Sequence, residues 1–221
     1  MKGARRLALV AALTLSFGGP YAARADFGLT PAADPIALET PKGLEGAIAA
    51  IEKATGARAE PIDAVAGEIP LSQGAAFAVD SRTAGRLVTG SHDAFRKAGL
   101  YLFRFERSFG LPGEKDRVGV LAAKDWVATI RRIGTSGPRH GVKTEQIVAW
   151  LRGIEKEEPF DLWEIGVDYV AGRFRRTPRD PVALAHRAAK IAPDLVVGHS
   201  DPTEGLADLM GRNRTLYLIW E

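Results

Sequence analysis

Hydrophobic positions along the chain follow two rhythms, and each predicts its own kind of element. Leu44, Ile48 and Ile51 recur at helical spacing with Gly56 behind them as a stop, and residues 75–79 form a short apolar run that fits a buried strand. Ser91 stands where an N-cap would open a helix carrying Phe95 and ending at Gly99. Residues 100–105 have the aromatic, alternating character of a strand, residues 108–116 read as a loop and residues 118–121 as another strand. Trp126, Val127, Ile130 and Ile133 line one face of a helix that Gly134 ends. After a turn at residues 135–138, Thr144 caps a helix bearing Ile147, Val148 and Leu151, which Pro159 closes because proline brings no amide proton.

Residues 167–174 alternate as a strand, with Val167, Tyr169 and Ala171 on one face and Asp168, Val170 and Phe174 on the other. Asp180 followed by Pro181 is a helix start, since the aspartate accepts free amide protons and proline loses nothing at the first helical position. That helix runs to about Ile191, Thr203 opens a short one through Leu206, Leu209 and Met210, and residues 216–220 form a terminal strand. Helices and strands mix without regular strand-helix-strand alternation. The expectation is an α+β fold, a mixed sheet flanked by helices in a single globular domain.

The first residues change the picture. Lys2, Arg5 and Arg6 precede an apolar run at residues 7–17, too short for a bilayer, and Ala23-Arg24-Ala25 places small residues where a signal peptidase reads. Cleavage is expected after Ala25, which leaves Asp26 first in a periplasmic or secreted protein. The chain then divides into a signal peptide at 1–25, an extended lead-in at 26–41, an N-terminal α/β portion at 42–97 and a remainder at 98–221.

The formal charge of +3 invites a nucleic-acid reading, but Lys2, Arg5, Arg6 and Arg24 leave with the signal and no acid does, so the mature net charge is about −1. Such a chain has no global field for phosphate backbones, and nucleic acid is rejected as a partner. There is no Cys, which removes thiolate nucleophiles and Cys-ligated zinc, and no second apolar run is long enough to span a membrane.

Asp161, Glu164 and Asp168 lie within eight residues, and Asp194 follows Pro193 at a helix exit. Carboxylates brought within about 5 to 10 Å serve acid/base hydrolysis or hold a divalent cation. The structural alternative puts Asp161 and Glu164 at a solvated strand entry, pairs Asp168 with Arg173 or Arg175, and has Asp194 fix a turn through its own downstream amides. Thr135 and Ser136 sit in Gly134-Thr135-Ser136-Gly137, either an anion cradle of backbone amides or a helix-ending turn. His140 and Trp220 complete the ligand-binding candidates, with sheet-edge packing as the alternative for Trp220. His92, His140, His186 and His199 show no metal-binding spacing, so neither a metal nor a cofactor is expected. His199-Ser200-Asp201 are adjacent residues that cannot reach one another in triad geometry, and residues 155–158 read as a solvated helix end.

From about Ala98 to Glu221 several ordered segments stand together. They are Gly99-Leu100-Tyr101-Leu102-Phe103-Arg104, Asp116-Arg117-Val118-Gly119-Val120-Leu121 with Asp125, Gly134-Thr135-Ser136-Gly137, Thr144-Glu145-Gln146-Ile147-Val148-Ala149-Trp150-Leu151, Pro159-Phe160-Asp161-Leu162, Gly166-Val167-Asp168, Ala192-Pro193-Asp194 and Leu216-Tyr217-Leu218-Ile219-Trp220-Glu221. In that order they resemble the bacterial domain-of-unknown-function family 4253. Where the family typically has Thr-Asn-Gly and then Asn-Tyr, this chain has Thr135-Ser136-Gly137 and Arg139-His140; Ala192 replaces the cysteine of Cys-Pro-Asp, and Ile219-Trp220-Glu221 replaces Trp-Trp-Asp. The resemblance implies a fold and candidate positions, not an activity. The resulting expectation is an exported, non-enzymatic domain that binds a protein partner or a small ligand. The alternatives are a hydrolase or metal-dependent enzyme using Asp161, Asp168 and Asp194, and an immunity-type protein against a secreted toxin.

Overall fold

The computed structural model describes residues 34–108, 113–196 and 202–220. Among these described residues six α-helices, α1 (Gly43–Thr55), α2 (Ser81–Lys97), α3 (Trp126–Ile133), α4 (Thr144–Glu157), α5 (Pro181–Ile191) and α6 (Pro202–Arg212), surround two sheets. Strands β1 (Ile62–Ala64) and β2 (Gly67–Ile69) form a hairpin. Strands β3 (Gly74–Val79), β4 (Tyr101–Glu106), β5 (Asp116–Leu121), β6 (Phe160–Ile165), β7 (Tyr169–Phe174) and β8 (Thr215–Ile219) build one sheet in the order β3-β5-β4-β6-β7-β8.

Within that sheet β3, β5 and β4 pair antiparallel, as do β6, β7 and β8. The two trios meet only at a parallel seam, β4 beside β6, where Arg104 stands in register with Glu164. Tyr101 strengthens the seam by donating its hydroxyl to the Leu162 carbonyl at 2.8 Å.

The side-chain alternation of the strands feeds two cores. Tyr101, Phe103 and Phe105 of β4 face a core made with the hairpin and α3 to α6, whereas Leu102, together with Leu100 just before the strand, faces one made with α1 and α2. Both faces of the sheet are thus covered, and the architecture is α+β in three layers. Each fully buried Leu, Ile or Phe contributes roughly 1.5–3 kcal/mol, so these two cores supply the stability that disulfides give much smaller domains.

Several local signals act as their chemistry dictates. Gly56 and Gly134 close α1 and α3 in the left-handed conformation, and Asp125 and Asp180 cap α3 and α5 by accepting from Ala128 N at 2.8 Å and Ala183 N at 2.9 Å. Other readings are corrected. Ser91 is no N-cap: α2 starts ten residues earlier, at an Asp80 cap that accepts from Thr83 N. Buried in mid-helix, Ser91 instead donates to the Ile36 carbonyl at 2.6 Å and accepts from Leu38 N at 3.0 Å, so it staples the lead-in along α2. Thr144 is the first residue of α4, while Lys143 holds the cap position, where its amide donates to the Gln146 side chain.

Candidate functional site

Asp161 stands apart from Asp168 in the set of carboxylates of the hydrolase reading. Asp161, near the start of β6, accepts from Arg175 at 2.8 and 3.2 Å and meets Arg96 of α2 at 3.6 Å. Asp168 lies beyond the other end of that strand, with about 13 Å of extended backbone between. It is exposed, and its carbonyl accepts from Trp220 N at 2.7 Å. Arg175, one partner expected for Asp168, is therefore engaged by Asp161. Among the described residues no group of three or more His, Asp or Glu is placed to hold a metal ion. His199-Ser200-Asp201 lie outside the described residues.

The loop at residues 134–137 has its amides committed. Gly134 and Thr135 donate to the Ile130 carbonyl, Ser136 to Val167 and Gly137 to Val142, at 2.8 to 3.3 Å. The Thr135 hydroxyl is buried and donates to the Gly166 carbonyl at 2.6 Å. An anion cradle needs free N–H groups, so this loop serves instead to lash the end of α3 to the turn between β6 and β7. Trp220 is 1% exposed, its indole N–H donates to Ile191 O at 2.6 Å, and its ring lies so close to Gly137 that any Cβ there would strike it. Trp220 is a packing residue, out of reach of a stacking ligand.

Two of the candidates do meet. His140, in a short 3-10 turn (Pro138–His140), and Asp194, in another (Pro193–Val196), are joined Nε2 to Oδ2 at 2.7 Å. Beside the pair, a groove of about 300 Å³ opens between α4 and α5, lined by Val142, Gln146, Trp150, Arg187, Lys190 and Ile191. Val142 follows His140 by two residues and Ile191 precedes Asp194 by three, so the His140–Asp194 contact joins the two chain segments that supply part of the lining. Its lining combines apolar side chains with Lys190 and with Arg187, whose charge Glu157 matches from outside the lining. The sequence did hold a signal: Trp150 lies next to the Ile147, Val148 and Leu151 stripe of α4 without belonging to its buried face.

The acidic end of α4 is also more committed than a solvated helix end. Glu157 accepts from Arg187 at 2.6 and 3.2 Å, Glu155 accepts from the Trp126 indole at 3.2 Å, and the buried Glu158 accepts from Arg179 N at 2.9 Å.

A second polar cluster sits on the sheet seam, where Glu164 is 2% exposed rather than at a solvated entry. Arg104 Nη1 lies 3.2 Å from Asp116 Oδ2 and 3.4 Å from Glu164 Oε1, and Arg107 reaches Glu164 Oε2 at 3.5 Å. Asp116 Oδ1 accepts at 2.8 Å each from the hydroxyls of Ser81 and Ser108 and from Ser108 N. Burial raises the carboxyl of Glu164 above its ordinary range although both arginines pull it down. Burial and the nearby charge of Glu164 likewise hold the Tyr169 hydroxyl well above its usual value.

Residues 117–221 match the model of a family described as a domain of unknown function, DUF4253. This part of the chain resembles that family. The DUF4253 match takes in His140, Asp194, Glu164 and the whole groove, but it begins inside β5 and leaves β4, with Arg104, outside. The motif at residues 99–104 is therefore not within the matched stretch. No curated protein and no solved structure matches the chain.

Proposed function

We propose that the protein is an exported binding domain without catalysis of its own, and that its ligand is an anion with a flat apolar body held in the α4–α5 groove. The lining of that groove is the observation that carries the reading. Trp150, Val142 and Ile191 offer apolar surface and Lys190 supplies positive charge, while the charge of Arg187 is matched by Glu157. Small-ligand sites typically occupy about 300–1,000 Å³ and combine an apolar floor with a few polar groups, which this groove matches at its lower end. Asp161 lies at the far end of β6 from Asp168, and Asp161 and Asp194 are engaged by basic side chains.

Anilinonaphthalene sulfonate, which is flat, apolar and anionic, is the probe. Its fluorescence should rise on binding the folded wild type, and Trp150→Ala and Lys190→Glu should each weaken binding about tenfold or more, equivalent to about 1.4 kcal/mol. Neutral N-phenylnaphthylamine should bind more weakly than the sulfonate and be insensitive to Lys190→Glu. Equal binding of both probes by all three proteins would overturn the assignment.

Export rests on the basic start, the apolar run and Ala23-Arg24-Ala25. The protein recovered from the envelope or medium should begin at Asp26 or within a few residues of it by N-terminal sequencing. Intact Met1 on a cytosolic species would end that part of the proposal.

A further inference from the structure

The seam cluster contains two carboxylates whose surroundings differ sharply. Asp116 is wholly buried and takes three hydrogen bonds at 2.8 Å through one oxygen while its other oxygen faces Arg104. Glu164 is almost as deeply buried, yet its contacts with Arg104 and Arg107 are 3.4 and 3.5 Å long. A carboxylate that accepts several short hydrogen bonds has replaced much of the water it lost on burial. One that relies on long ion pairs in a low dielectric has little to offset the loss of water.

The charge balance points the same way. Asp116 alone neutralises Arg104, and the side chain of Arg107, 10% exposed, lies nearer the surface than either carboxylate. Removing the charge of Glu164 therefore leaves the more deeply buried Arg104 with its counter-charge and weakens the pairing of Arg107 alone. The Tyr169 hydroxyl, buried and without a hydrogen-bond partner, lies in the same electrostatic neighbourhood.

We propose that Glu164 is a proton-binding site built into the seam, charged or neutral according to the acidity outside, while Asp116 faces Arg104 at 3.2 Å. The groups facing Glu164 are Arg104 of β4, Arg107 just after it, Asp116 of β5 and Tyr169 of β7. Because the folded chain raises the carboxyl, it holds this proton more tightly than the unfolded chain does. The contribution to stability is complete below the unfolded value of about 4.5 and is lost as pH rises through the folded one. The seam is thus firmer in mild acid, and in an exported protein this site faces whatever acidity the surroundings impose. His92 acts in the opposite sense: burial lowers it, so its contribution is lost as pH falls below about 6.5.

The test compares wild type with Glu164→Gln, which mimics the protonated form and retains His92, by chemical unfolding at about pH 7 and about pH 5. The ratio of unfolding constants, wild type over variant, should fall severalfold on acidification, since His92 cancels in that ratio. A second readout is independent of any variant's folding. In wild type labelled with carbon-13 at glutamate carboxyls, one resonance should titrate above the rest and be absent from Glu164→Gln. A ratio that does not move with pH, or a set of glutamates titrating together, overturns the proposal and leaves Glu164 a permanent ion-pair partner.

Discussion

Asp116→Asn is expected to cost about 3–5 kcal/mol, because it removes one member of a buried ion pair and leaves Arg104 without its main counter-charge. Asp116 is completely buried, and its carboxylate joins β5 to the start of α2 through Ser81 and to Ser108 beyond β4. An asparagine amide fills the same space but presents at least one N–H toward groups that are themselves donors. The loss should appear as a lower denaturant midpoint with an unchanged slope at neutral pH. A loss below about 1 kcal/mol would mean that the cluster is wet enough for water to replace the carboxylate. The contrast with Glu164→Gln is informative, since equal damage by both variants would contradict the different roles given to the two acids.

Trp220→Ala is the other large effect, expected at about 3–5 kcal/mol for a buried tryptophan, with the lost indole bond to Ile191 included. The ring fills the space beside Gly137 and ties the last strand to the end of α5. Trp220→Phe should recover much of the packing but not the hydrogen bond, so thermal unfolding ought to rank wild type above Phe above Ala. A tryptophan serving mainly to stack a ligand would leave stability nearly intact on truncation. Because Ile191 also lines the groove, anilinonaphthalene sulfonate should bind the Ala variant less well even where it is fully folded.

Much of the fold was legible because local chemistry and tertiary demand agreed. Asp180-Pro181, Gly134 and the apolar spacing of α1, α3 and α4 each act in the structure as their residue types suggest. The failures occurred where distant partners decided. Strand β6 escaped notice because Asp161 and Glu164 have poor strand propensity and a register shift between Leu162 and Glu164 breaks its alternation. Strands β1 and β2 have three residues each, too few to display a period. The serine at position 91 resembled a cap because its role is set by Ile36 and Leu38, more than fifty residues away. Of the candidate site, His140 and Asp194 were named without any sign that they were a pair, since 54 residues separate them. The seam charges were hidden for the same reason. Arg104 within an aromatic strand was a visible oddity, but its acids arrive from two other strands.

The order of the sheet also sets how this polypeptide can be divided. Strand β4 lies between β5 and β6, so a fragment cut at Arg117 would carry the latter two strands with their common neighbour missing. Neither could close the gap by pairing with the other without abandoning its register. Both would present bare amides and carbonyls over apolar faces, the condition under which strands recruit other molecules and precipitate. The boundary of sequence likeness and the boundary of autonomous folding therefore fall in different places. Any gene trimmed for expression should retain β3 and β4 with the matched segment.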